Sequence, residues 1–253
     1  MGKSDLMLHT SAYWEEHFRK NLELQRIDWD LQPRLSQEEK EHILYSLQAW
    51  QLGETSDGRH LLAAARRYAA QVRDPDYVAA VQQFIKEEQK HGANLGRYID
   101  AIGEERKRSD WGDTLFRKVR YFNRSMELWT ISVIIVESAA QVFYQALHDA
   151  TRCALLRSIC KDILIDEAHH IKFQNERLWM LFQRKGFYNR AASLLFYSVL
   201  LFGTIHAIWF GHRKAFKAGG IDRSEFMRAM YYKFFSTVKF LHRKEEAPVW
   251  VLA

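Results

Sequence analysis

Proline is scarce in this chain, with 3 in 253 residues, and glycine contributes only 12. So few breakers leave long stretches free to form helix, and Leu, Ala, Arg, Gln and Glu, which favour helix, are common. No segment alternates apolar and polar residues as a half-buried strand would. The expected fold class is all-α. Cysteine is scarcer still. Cys153 and Cys160 lie seven apart on what reads as one helix, roughly 10 Å along its axis, too far for a disulfide. Two buried thiols in a reducing compartment is the simple reading.

Other absences narrow the function. There is no glycine-rich phosphate loop, no zinc-finger spacing and no block of like charge. The start, MGKSDLMLHTSAYWEEHF, has no apolar core of a signal peptide and no Ser or Thr at position six for myristoylation. A cytoplasmic location is expected. The net charge of +6 suits an acidic partner or an anionic surface without selecting one, and nucleic acid is the less favoured of these.

The length fits one large domain with a sizeable core. Residues 1–35 read as an aromatic, charged lead-in. Ser36, with Glu39 three positions later, is a capping box that opens a helix running towards Arg73, weakened at GETSDG. A DPD turn restarts the chain into a second helix over about 76–102. A third helix is expected over about 113–149 and a fourth up to Arg184. Residues 36–184 would then form a four-helix bundle. Residues 185–253 would add two apolar and basic C-terminal helices, about 188–217 and one ending near Lys244, and a tail.

What the chain does have is glutamate and histidine at a telling spacing. E-x-x-H occurs at Glu39/His42, Glu88/His91 and Glu167/His170. Composition alone would produce about one such match. Glu39/His42 falls in the charged first turn SQEEKEH, where acids suit a helix N-terminus, and reads as a solvated decoy. Glu88/His91 shares a helical stripe with Val81, Phe84, Leu95 and Ile102, and Glu167/His170 borders Cys160, Ile163, Ile171 and Leu178. Between them, LWTISVIIVESAAQVFYQAL carries a single charge, Glu137. A lone carboxylate in such a segment is costly unless it is paired or binds a metal. The first helix offers Glu54, with Asp57 and His60 as rivals. One Glu from each of two helices and E-x-x-H from each of two others is the inward ligand set of di-iron and di-manganese bundles. The oxygen-rich set suits two Fe ions, and a Mn/Fe pair equally.

Those motifs carry a family resemblance over about residues 36–184. EEQKHG (87–92) and DEAHH (166–170) are similar to the second- and fourth-helix motifs of acyl-carrier-protein desaturases and ribonucleotide reductase small subunits. GETSDGRHL (53–61) resembles the GE…GRHL first-helix motif of a group of bacterial ferritin-like proteins. The resemblance implies the ferritin-like di-iron carboxylate superfamily, and it implies that Asp166 orients His91. Ile163 stands where arylamine N-oxygenases of the superfamily carry an extra histidine, and Gln141 stands near where related oxygenases place a proton-delivering Thr. Trp50 and Tyr144 read first as core aromatics, with electron relay as the alternative.

The function implied is an O₂-activating oxidoreductase, of desaturase, hydroxylase or oxidase type, acting on an apolar, acyl or lipid-like substrate. A ferredoxin-like electron donor and an acidic carrier protein would be its partners. Iron storage, and tRNA or quinone modification, are the alternatives. Finally, AASLLFYSVLLFGTIHAIWFG (191–211) has no charged residue if His206 is neutral, and Arg190 and His212-Arg213-Lys214 flank it. It reads first as a core helix covering the bundle. Its sharper reading is a peripheral membrane contact.

Overall fold

The computed structural model describes residues 8–112, 114 and 125–243. It is all-α, with no strand among the described residues. Helix α1 spans Ser11–Leu22, with the Thr10 side chain capping the Tyr13 amide. It lies inside the stretch that the sequence pattern marks only as a lead-in.

The predicted capping box at Ser36/Glu39 forms. It opens α2 (Gln37–Glu39), which passes through a π-helical turn, Lys40–Leu44, into α3 (Tyr45–Glu54). The predicted weak patch is a true break. Gly58 takes a left-handed conformation, φ 63°, and α4 starts at Arg59 and ends at Val72. A side chain at position 58 would be strained there and would strike Ile85.

Helix α5 is Asp76–Ala101, α6 is Met126–Ala150 and α7 is Ala154–Gln183. Trp111, Gly112 and Thr114 are helical, as an early start implies, but Ser125 is extended, so the bundle segment of the third helix runs separately from Met126. Residues 113 and 115–124, which the expected helix would include, lie outside the described residues. Cys153 precedes α7, at its N-cap position without a side-chain cap, and Cys160 lies within the helix; both are buried and neither is in a disulfide. Helix α8 is Phe187–Ala218 and α9, opened by a second capping box at Asp222/Glu225, is Arg223–Leu241.

Helices α3, α5, α6 and α7 surround the centre, and α1 packs along α5. Two apolar clusters fill the interior. One joins α3, α5, α6 and α7 to the inner faces of α8 and α9. The other gathers Trp14 and Phe18 of α1 with residues of α4, Phe84 and Phe173. The core-helix reading of 191–211 holds for one face only. Tyr197, Leu201, Ile205 and Trp209 are buried, whereas Leu195, Val199 and Phe202 are exposed.

Candidate metal centre

Each of the four central helices delivers its acidic residue by simple helical geometry. Three-residue spacing puts Glu88 and His91 on one side of α5, and Glu167 and His170 on one side of α7. Glu137 projects from the middle of α6, and Glu54 is the last residue of α3. All six are brought together. The donor atoms of Glu88, Glu137, Glu167 and His170 lie within 4.8 Å of one another, and so do those of Glu54, His91 and Glu167. Glu167 belongs to both groups. His170 Nδ1 is 2.9 Å from Glu88 Oε1 and 3.6 Å from Glu167 Oε2. His91 Nδ1 is 4.0 Å from Glu88 and from Glu167.

Asp57 and His60, the rivals of Glu54, are exposed, and Asp57 pairs with Arg59 at 2.6 Å. Glu39 caps α2 and accepts hydrogen bonds from Thr151 and the Arg152 amide, while His42 bonds the carbonyl of Glu38. That third E-x-x-H stays outside the cluster, as expected of a decoy.

The electrostatics show what the cluster requires. Burial, then the charges of Glu88 and Glu167, drive the Glu54 carboxyl well above the usual carboxylate range. Burial, then Glu167 and Glu88, do the same to Glu137. Burial opposes charge on His170 too, but Glu88, Glu167 and Glu87 outweigh it and raise that ring well above its ordinary value. A cation placed between these groups would offset the repulsion among the carboxylates.

The donor set fits two first-row divalent ions. His91 Nδ1 and both carboxylate oxygens of Glu167 are buried with no hydrogen-bond partner among the described residues, while Glu88 Oε1 and His170 Nδ1, also buried, face each other at 2.9 Å. Such orphaned atoms cost about 1–3 kcal/mol each unless something binds them. All belong to the two E-x-x-H motifs. Both imidazoles turn Nδ1 inward because Nε2 is already engaged: His91 Nε2 with Asp166 Oδ2 at 3.0 Å, His170 Nε2 with Glu87 Oε2 at 2.8 Å.

The fold has solved counterparts. A structure of R2-like ligand-binding oxidase with aerobically reconstituted Mn/Fe cofactor matches at a TM-score of 0.70 and 17% identity, covering 93% of this chain and 98% of that one. Another, with anaerobically reconstituted Mn/Fe cofactor, matches at 0.67 and 16%, covering 93% and 95%. The chain shares their ferritin-like helical-bundle fold. No family model matches the sequence, and no curated protein matches it.

Around this cluster lies a support layer that sequence reasoning found only in part. Asp166 does bond His91, as the resemblance implies. Its counterpart Glu87 was missed, although the signal was present: each motif Glu is preceded by an acid, and each such acid bonds the histidine of the other helix. Asn21 of α1 joins the two. Its amide nitrogen donates to Glu87 Oε1 at 2.6 Å and to Asp166 Oδ1 at 2.8 Å. Arg26 then binds Asp162 at 2.5 Å, pairs with Asp166, and donates to Asn21 Oδ1 at 2.6 Å. Burial opposes the Asp166 charge, but the hydrogen bond and charge of His91, with Asn21 and Arg26, hold its carboxyl below the ordinary range.

Three further contacts shape the centre. Tyr144, buried, donates to Glu54 Oε1 at 2.7 Å, so this core aromatic also touches the carboxylate cluster. Gln141 Oε1 accepts a hydrogen bond from Lys233 of α9, which brings an amine towards the turn after Glu137. His169 lies against His17, ring centroids 4.4 Å apart, away from the cluster.

A cavity of about 620 Å³ reaches the cluster at Glu54, Glu88 and Glu137, and Trp50, Val133 and Leu200 are among its apolar walls. His212 lines it too. Burial lowers that imidazole to about 4, so it is a neutral wall residue bonded to Ser46 Oγ at 3.1 Å rather than part of a basic flank.

Proposed function

We propose that the chain is an O₂-activating di-metal oxidoreductase acting on an apolar, acyl-type substrate. Its ligands would be Glu54, Glu88, His91, Glu137, Glu167 and His170, holding two Fe ions or a Mn/Fe pair. The observation that carries this reading is the cavity. It is large enough for a substrate, its walls are mostly apolar, and it opens onto three of the carboxylates. A storage site needs no such chamber. The fold's solved counterparts carry Mn/Fe cofactors and are named oxidases, which agrees with this reading.

The bound ion pair would supply reducing equivalents to O₂. The rest falls to the chain. Apolar walls exclude water and hold a C–H-rich substrate beside the cluster. Asp166 and Glu87 fix the ring orientation and proton position of the two histidines. Tyr144 holds Glu54 by its hydroxyl proton. Reduction of O₂ to two waters takes four electrons. Desaturation draws two from the substrate and two from an external donor, for which a ferredoxin-like protein is the natural class. An acidic carrier protein delivering the acyl chain would suit the basic surface.

The test is anaerobic loading with Fe(II), alone or with Mn(II), followed by O₂. Loaded protein should consume O₂ and show a change in its visible absorption, and a substrate screen should favour acyl chains over polar compounds. Fully loaded protein that takes up no O₂ would sink the oxidoreductase reading while leaving the metal centre standing.

A further inference from the structure

Helix α8 is long and apolar enough to cross a bilayer, yet it does not sit in the structure as either a core helix or a spanning one. Only 22% of its most apolar 18-residue window is buried. Tyr197, Leu201, Ile205 and Trp209 key one side into the bundle, so lipid cannot surround it. The opposite side exposes Leu195 at 69%, Val199 at 63% and Phe202 at 58%, with Phe196 and Phe210 also exposed. The stretch 191–212, which holds no Asp, Glu, Lys or Arg, extends for roughly 30 Å. So long an exposed apolar stripe is unlike ordinary scattered surface hydrophobics.

We infer that this face docks on an anionic lipid surface, with α8 lying along the membrane and the cavity mouth turned towards it. Two observations select that occupant. First, α8 carries no acidic residue, and Arg213, Lys214 and Lys217 are exposed at the C-terminal end of the apolar stripe, while Arg190 at the other end is held by Gln183. That pattern is complementary to acyl chains beneath phosphate headgroups. A second copy of the chain is a poor match. Its α8 would offer no acidic residue to pair with Arg213, Lys214 and Lys217, and parallel pairing would set like charge against like. Second, the stripe is continuous with the cavity. Phe196 and Val199 are exposed and also line the chamber that ends at Glu54, Glu88 and Glu137. An acyl chain leaving the bilayer would enter without crossing water; this delivery role rests on the function proposed above, whereas the docking does not.

The experiment is co-sedimentation of the metal-free full chain with phosphatidylcholine vesicles, with and without phosphatidylglycerol, alongside light scattering of the free protein. The chain should bind the anionic vesicles and bind neutral ones more weakly. Replacing Leu195→Ser with Phe202→Ser should lower partitioning tenfold or more, since each loses about a full buried apolar side chain. Replacing Arg213→Gln with Lys214→Gln should lower it by about five-fold per residue on anionic vesicles only, and added salt should do the same. Absence of vesicle binding would overturn the proposal. So would serine variants that bind like the wild type, or a stable dimer that those substitutions dissociate. Because no metal or turnover enters this measurement, its failure is separable from failure of the oxidoreductase reading.

Discussion

Asn21 lies on α1, far in sequence from every residue of the carboxylate cluster, yet its amide holds both acids that orient the histidines. The informative substitution is Asn21→Ala. It removes two buried hydrogen bonds to carboxylates, of 2.6 and 2.8 Å, and the acceptor contact from Arg26. Hydrogen bonds to charged groups contribute about 1.5–3 kcal/mol each. Arg26 still pairs with Asp166, and His170 still engages Glu87, so part of that loss is compensated. A net destabilisation of about 2–4 kcal/mol follows, which for a chain of this size lowers Tm by roughly 4–16 °C. The two acids then lose their common anchor, and support-layer changes of this kind weaken metal affinity by about 10–100-fold. Differential scanning calorimetry of metal-free protein reads the first effect, and Fe(II) or Mn(II) titration the second. Unchanged Tm together with unchanged metal affinity would show that α1 merely covers the centre and does not organise it.

Three further outcomes are expected. Glu137→Gln should reduce retained metal from two ions per chain to roughly one or fewer, given its place in the ligand set, and should raise the Tm of metal-free protein at pH 8, because it removes a carboxyl that its neighbours repel; elemental analysis and a thermal melt check both. Gly92→Ala should cost about 1–3 kcal/mol by overpacking, since its Cβ would come within 2.8 Å of Thr55 and 3.2 Å of the Glu54 side chain, and metal affinity should fall with stability as Glu54 is displaced. Metal-free protein should lose stability as pH rises above about 4.5, since Glu54 and Glu137 hold protons in the folded state more tightly than in the unfolded one. A bound cation removes that repulsion, so the gain in Tm on metal loading should widen with pH across the same range, and a pH-independent gain would contradict the assignment of these two carboxyls.

The sequence by itself determined the helical class, through scarce breakers and abundant helix formers, and it marked the inward face of the bundle. Glu88/His91 and Glu167/His170 were legible because helical periodicity puts three-apart residues on one side, and Glu137 because a lone carboxylate in an apolar helix needs a partner. Glu54 was legible only as one of three candidates. The left-handed turn at Gly58 decides between them, carrying Asp57 and His60 to the surface while Glu54 stays inside. Tertiary structure alone decided the support layer. Asn21 and Arg26 sit in a segment without a distinctive pattern, and only the packing of α1 along α5 brings them to Glu87 and Asp166. It also decided the fate of α8. Composition cannot distinguish a helix buried on all sides from one buried on a single side, because both are written in the same apolar residues. What separates them is how many neighbours surround the helix, and here the bundle covers one face and leaves the other, with the cavity mouth at its edge, open.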